Sequence, residues 1–257
     1  MSSQTAQSLI DTMYATKPLI FGHRGARAYA PMNTLPAFEL ALKQGADGIE
    51  LDVHRSKDGY PVIVHDFHVD HTTNGTGLIA EKTLSELKAL DAGSWFSPEF
   101  TGVQIPTLDE VFEAVGKQLL INVEIKAETL ETDGVEQVVV DCIVRHGMAE
   151  RVLITSFNAP TLVRFRALMP AVPVGYLTEI PYTELPTDAT YEAFNPNYRL
   201  VTPEMVEACR TRNIRINVWT LNDPQAAVDL AQMGVEGIIT DNPDLIVQAI
   251  KSKKRAD

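Results

Sequence analysis

The chain has 257 residues, 45% of them apolar, enough for a sizeable core in one domain or two modest ones. Its formal net charge of −12 argues against nucleic acid or an anionic membrane surface as a main partner. Cys142 and Cys209 are too few for a disulfide framework or a cysteine zinc site and read as small core residues.

No apolar run reaches about eighteen residues, the length a membrane span needs. The first seventeen residues lack the basic start and apolar stretch of a secretory signal, so a cytoplasmic location is expected. An anionic small molecule remains a suitable partner if a metal cation or a placed Arg or Lys supplies a local positive site.

In chain order, LIFGH (19–23) is the first strand candidate. A helix is expected to start at Asn33, with Leu35, Phe38 and Leu42 on one face and Gly45 at its stop. DGIELDV (47–53) and PVIVH (61–65) have no helix between them. Lys57-Asp58-Gly59 is a hairpin turn signal, so 50–55 and 61–65 are expected to pair. The polar stretch 66–106 reads as a short insertion with one helix, introduced by the capping box Thr83…Glu86. A second capping box, Thr107…Glu110, opens the next helix.

LLINVEI (119–125), RVLITSF (151–157), VPVGYL (172–177), YEAFN (191–195), RINVW (215–219) and GIIT (237–240) follow. Thr202-Pro203 and Asp223-Pro224 mark two more helix starts. Continuous apolar strands alternating with helices predict an α/β fold whose sheet is covered on both faces. Its size suits a TIM (β/α)8 barrel better than a doubly wound sheet. The whole chain, 1–257, is read as one barrel domain, and the basic tail KSKKRAD as a solvated end. Nine strand candidates are one too many, and YEAFN is the weakest.

Glu50 and Asp52 lie two apart and so share one face of their strand. Two such carboxylates stay ionised only with something positive between them. One divalent cation, Mg2+ or Ca2+, suits hard oxygen ligands, and Glu124 on another strand is a natural third ligand. A solvated edge strand or a bridging arginine would also accommodate the pair.

His23 and His65 stand at strand ends, where barrel sites lie, and imidazole suits acid/base work near neutral pH. Either alone fits a hydrogen-bonded structural role as well. Arg24 suits a bidentate grip on phosphate or an ordinary surface ion pair. Phe157 and Trp219 end strands and wall a substrate pocket or fill core. His54 lies near the turn, His68 and His71 in the insertion, and His146 near a helix end; all four read as non-catalytic.

Several short motifs now fall into one order: His23-Arg24-Gly25, Glu50-x-Asp52, Lys57-Asp58-Gly59, His65-Asp66, Thr72-Thr73-Asn74-Gly75, Ile105-Pro106-Thr107-Leu108, Glu124-x-Lys126, Trp219-Thr220 and the closing GVEGIITDNPD. Together they resemble the glycerophosphodiester phosphodiesterases over nearly the whole chain. The resemblance implies a phospholipase C-like TIM barrel. It implies metal-dependent hydrolysis of glycerophosphodiesters such as glycerophosphocholine and glycerophosphoethanolamine to glycerol 3-phosphate and an alcohol. It also implies that Glu50, Asp52 and Glu124 hold Mg2+ or Ca2+, that His23 and His65 form the acid/base pair, and that Arg24 and Lys126 hold the phosphate.

One motif departs from the family: Pro31-Met32-Asn33-Thr34 stands where Pro-Glu-Asn-Thr is usual. The change bears on a contact beside the site or on metal preference, while Asn33 is still expected to cap its helix. A lysophospholipase D-like phosphodiesterase is the nearest rival, but it would want an apolar entry or membrane-docking segment, and none is visible. A non-catalytic anion-binding barrel would need no acid/base pair. A glycosidase using Glu50 and Glu124 would need neither Asp52 nor the two histidines. The expected partner is therefore a small diester, without nucleic acid or stable membrane association. A homo-oligomer is compatible with the sequence, which fixes no stoichiometry.

Overall fold

In the structure, a computed structural model, residues 5–16, 18–181 and 190–254 are described. The strands are β1 (Leu19–His23), β2 (Gly48–Arg55), β3 (Pro61–Ile63), β4 (Leu120–Ile125), β5 (Val152–Ser156), β6 (Val174–Thr178), β7 (Ala193–Pro196), β8 (Arg215–Val218) and β9 (Gly237–Thr240). The helices are α1 (Ala6–Met13), α2 (Leu35–Lys43), α3 (Leu84–Lys88), α4 (Leu108–Val115), α5 (Val135–His146), α6 (Ala159–Leu168), α7 (Pro203–Thr211), α8 (Pro224–Met233) and α9 (Pro243–Lys254). Residues 1–4 and Lys17 of the segment compared with a signal, and 255–257 of the basic tail, lie outside the described residues.

The sheet runs β1-β9-β8-β7-β6-β5-β4-β2-β3, and β1 also pairs with β2. That last pairing closes eight parallel strands into a TIM barrel, as expected. β3 stays outside the ring, antiparallel to the end of β2, with Val53 opposite Ile63 and Arg55 opposite Pro61. The ninth strand candidate is thus 61–63, not YEAFN. β7 is a barrel strand paired on both sides. It looked weak because Ala193 and Asn195 on one face are small or polar; Phe194, fully buried, supplies its apolar face.

Register sets the site. His23 is level with Glu50, and Glu50 with Asn122; one step up, Asp52 is level with Glu124, and Glu124 with Thr155. Leu19, Phe21, Leu153, Ala193 and Ile239 fill the lower barrel, packed with Ile10, Met13 and Tyr14 of the α1 segment. Above them is a polar layer whose members bond largely to one another, with Asn195 Nδ2 left over. Thr155 Oγ1 donates to Asn122 Oδ1 (2.9 Å), Asn217 Nδ2 to Asn195 Oδ1 (3.2 Å), and Tyr14 OH to Asn217 Oδ1 (2.9 Å). Each of these bonds removes most of the cost of burying the groups it joins.

Outside the ring, the apolar faces of α2, α4, α5 and α6 pack on the sheet through fully buried Phe38, Leu108, Ile143 and Phe165. α2 buries Phe38 with Ala37 and Ala41, while Leu35 and Leu42 sit at the rim of the contact, a correction to the expected face. Both capping boxes form, and Thr202 and Asp223 cap α7 and α8. Both cysteines are buried and free. Phe38→Ala is expected to destabilise the protein by about 3–5 kcal/mol, read as a lower urea midpoint, because the ring leaves a cavity the closed sheet cannot collapse into.

The insertion contains α3 and two short 3-10 turns, Ile79–Glu81 and Pro98–Phe100. It covers its own small core of Val62, Val64, Val69, Ile79, Leu87, Ala92 and Ile105. No helix among the described residues is long and apolar enough to cross a membrane.

Candidate active site

Gly25 makes the turn after β1. It has φ +85°, and a Cβ there would lie 2.6 Å from the carbonyl carbon of Ala37, so only glycine fits. Arg24 and Asn33 are also in the left-handed region, at φ 53° and 58°, and Asn33 N donates to Arg24 O at 3.0 Å. This compact turn aims Arg24 back over the barrel mouth.

Asn33 does not cap α2, contrary to expectation. Thr34 holds the N-cap position with no side-chain bond to the helix, and Pro36 in the first turn removes one donor that would need a partner. The Asn33 amide is committed elsewhere: Nδ2 donates to Asp52 Oδ2 at 2.8 Å.

Glu50, Asp52 and Glu124 converge as expected. All three are buried, and one oxygen from each lies within 4.8 Å of the others. Lys126 Nζ donates to Glu124 Oε1 at 2.8 Å and lies 3.2 Å from Asp52 Oδ1. Arg24 Nε is 3.3 Å from Asp52 Oδ2. Neither approach to Asp52 has hydrogen-bond geometry, and Asp52 Oδ1 is a buried oxygen with no hydrogen-bond partner. Arg24 N donates to Glu50 Oε2 at 3.2 Å, and Arg24 Nη1 reaches Met32 Sδ at 3.3 Å. The residue that departs from the family pattern therefore meets the guanidinium directly.

The charges are unequal. Burial pushes the Glu50 carboxyl well above the usual carboxylate range, and the neighbouring Asp52 and Glu124 push it further. Burial and then Asp52 push Glu124 up to about 7. Burial acts on Asp52 too, but Lys126 and Arg24 outweigh it and hold that carboxyl well below its ordinary value. Even with Lys126 and Arg24 alongside, Glu50 and Glu124 are pushed toward their protonated forms, so all three carboxyls stay charged together only with further positive charge among them, and Asp52 Oδ1 is still without a hydrogen bond. Hard oxygen donors in this number suit Mg2+ or Ca2+.

Each predicted histidine is oriented by its own aspartate. His23 Nδ1 is 2.7 Å from Asp241 Oδ1, which leaves Nε2 facing the carboxylates, 4.0 Å from Glu50 Oε2. Asp241 is itself held by Asn222 Nδ2 (2.8 Å) and Arg27 Nε (3.1 Å). Burial pulls His23 down to about 4, against the opposing pull of Asp241. His65 Nδ1 is 2.6 Å from Asp66 Oδ1, and burial lowers its pKa as well.

Contrary to expectation, His65 does not end a barrel strand. β3 stops at Ile63, and Val64 N donates to Asp52 O at 3.1 Å. The hairpin overshoots the ring and brings His65 back toward the level of Asp52. His54 is buried beside it, with Nε2 3.3 Å from His65 O and its ring edge-on to Phe67. It props the backbone of His65.

Phe157 and Trp219 pack edge to face at 5.5 Å on the far side of the mouth, with Trp219 Nε1 donating to Asn195 O. A cleft of ≈ 510 Å³ opens beside His65, Asp66 and Lys126. A separate depression between α7 and α8 near Pro18 contains none of these residues. The residues missed in the sequence are Asp241, Asp66 as a partner of His65, and Asn33 as a partner of Asp52. Asp241 follows β9 directly, so the strand-end rule that found His23 also points to it. Asn33→Asp tolerates the left-handed backbone but turns a donor into a carboxylate against Asp52. It is expected to lower kcat/KM about 10- to 100-fold, measured over a range of Mg2+ concentrations.

A parallel barrel with a buried carboxylate trio, two aspartate-held histidines and two placed cations at its C-terminal mouth defines a hydrolase of anionic phosphodiesters. Comparison with known proteins agrees. The model of the glycerophosphoryl diester phosphodiesterase family matches residues 23–245. A glycerophosphodiester phosphodiesterase of Caldanaerobacter subterraneus subsp. tengcongensis is 38% identical over 239 residues, 91% of this chain and 98% of that protein. A phosphodiesterase of Oleispira antarctica, solved with its product sn-glycerol-3-phosphate, is 32% identical with TM-score 0.85, covering 93% of this chain and 99% of that one. A glycerophosphodiester phosphodiesterase from Agrobacterium tumefaciens gives TM-score 0.79 at 31% identity, covering 89% and 98%. The chain belongs to the glycerophosphoryl diester phosphodiesterase family and is an enzyme of that class.

Proposed function

We propose that the protein hydrolyses small water-soluble glycerophosphodiesters, such as glycerophosphocholine and glycerophosphoethanolamine, to sn-glycerol 3-phosphate and an alcohol. The observation that carries this reading is the buried trio Glu50, Asp52 and Glu124, whose Asp52 Oδ1 accepts no hydrogen bond, in a site with two aspartate-held histidines. The trio would hold one divalent cation, Mg2+ or Ca2+. When bound, the cation offsets the charge of the diester and of its transition state.

The chain's own residues do the rest. Arg24 and Lys126 face the phosphoryl oxygens as fixed donors. His23, buried and kept neutral with Nδ1 on Asp241, presents Nε2 as the base that takes a proton from the attacking hydroxyl. His65 stands beside the open cleft and gives a proton from Nε2 to the departing alkoxide. Attack by the glycerol 2-hydroxyl gives a cyclic phosphate, which water then opens with the two histidines in exchanged roles. This route explains a requirement for glycerol next to phosphorus. Phe157 and Trp219 wall the glycerol side.

The test is release of glycerol 3-phosphate from glycerophosphocholine, assayed beside a lysophosphatidylcholine. Rapid release from the first alone is the expected result. Preference for the lysophospholipid would replace this reading with a lysophospholipase D-like one.

A further inference from the structure

Asp66 is bonded to two imidazoles at once. Its Oδ1 lies 2.6 Å from His65 Nδ1, and its Oδ2 lies 2.6 Å from His71 Nδ1. The mechanism above uses only the first contact. The His71 side chain is 82% exposed, and a pair so open to water adds little to stability.

Yet the segment that presents His71 is tightly tied. Val69 is fully buried in the insertion core. Thr73 Oγ1 donates to Val69 O (2.7 Å), Gly75 N to Thr73 Oγ1 (3.0 Å), and Gly77 N to Asp70 Oδ2 (2.8 Å). Val69 N donates to Gly77 O at 3.1 Å. The loop thus delivers an imidazole to one defined spot while burying almost none of it. Lys126, the cation that lines the cleft, is committed to Glu124 and Asp52.

We infer that His71 is a positioning residue for His65: by occupying Oδ2 it stops the Asp66 carboxylate from turning, so Oδ1 stays on His65 Nδ1. A carboxylate anchored at one oxygen only can rotate about its side-chain bonds. Its histidine partner then samples both tautomers and several ring orientations. Anchored at both oxygens, Asp66 keeps the Nδ1–H tautomer and leaves Nε2 aimed at the diester. The surface insertion therefore reaches the reaction through His71 and Asp66. The inference rests on the acid/base reading of His65, and the experiment below separates the two.

His71→Ala and His71→Asn are compared with the unaltered enzyme by kcat and KM for glycerophosphocholine. The proton spectrum of the His65 imidazole N–H is recorded in parallel, since a short bond to a carboxylate gives a downfield, slowly exchanging proton. His71→Ala is expected to lower kcat roughly tenfold with KM unchanged, and to broaden the downfield signal. Asn carries an N–H donor in the place of Nδ1 and is expected to restore both.

Wild-type kcat and an unchanged downfield proton in His71→Ala would overturn the inference. So would a loss of kcat that Asn does not restore while the proton persists. An unaltered enzyme that releases no glycerol 3-phosphate would sink the acid/base reading. The proton spectra would then still decide whether His71 fixes the His65–Asp66 pair. An unchanged thermal midpoint in both variants, expected for so exposed a side chain, shows that folding is intact.

Discussion

Alanine in place of His23 is expected to lower kcat for glycerophosphocholine about a hundred- to ten-thousand-fold, and His65→Ala by a similar factor. KM should move far less, because neither imidazole supplies the charge that holds the diester. The two sit in unlike settings. His23 is buried beside Glu50 and held by Asp241, while His65 is half-exposed and held by Asp66. One proton must leave the nucleophile and another must reach the leaving group, so losing either stops the same reaction. The double variant should therefore cost little more than the worse single one. Near-normal turnover in either single variant would remove that histidine from the acid/base pair.

Stripping divalent cations with EDTA is expected to abolish turnover, and Mg2+ or Ca2+ to restore it. Stability should follow. A ligand bound only by the folded state adds about 2.7 kcal/mol at a hundred times its dissociation constant, so the thermal midpoint rises with added cation. The metal-free protein carries an opposite signature in pH. Burial and Asp52 raise Glu124 from its ordinary 4.5 to about 7, so between those values the folded state binds more protons than the unfolded one. Stability then falls as pH rises through that window, and Glu50, also raised, acts in the same sense. Asp52, held low, contributes the other way, with stability that is lost only as pH falls below its ordinary range. Melts of the EDTA-treated protein from about pH 5 to pH 7 should slope downward, and Glu124→Gln should flatten the slope. A flat wild-type profile would mean that the trio is not under repulsion, and activity undiminished by EDTA would mean that the trio serves no metal.

Much of this was legible because strand periodicity is simple. Two-residue spacing placed Glu50 with Asp52 and Glu124 with Lys126 before any fold was known, and the strand-end rule found His23. What failed was contextual. YEAFN is a poor strand by propensity, which rewards apolar residues, whereas a barrel interior with a hydrogen-bonded polar layer accommodates Ala193 and Asn195. Asn33 looked like a cap because it precedes a helix, but its amide is worth more against a buried carboxylate than against free backbone donors. Asp241 and Asp66 stand in sequence motifs, but an aspartate in a turn has many ordinary uses, and only distance to an imidazole assigns these two as histidine partners.

The antiparallel strand outside the ring has a further consequence. His23 is built into the closed barrel, where every strand has a neighbour on each side. His65 rides on a hairpin arm whose Val62 and Val64 belong to a cluster of seven buried residues outside the ring. Segments of this kind open locally at a lower free-energy cost than the global transition. Each opening withdraws one proton-transfer group while the barrel and its carboxylates stay folded. On warming, activity therefore fades before the molecule melts, and the upper working temperature belongs to the arm rather than to the barrel.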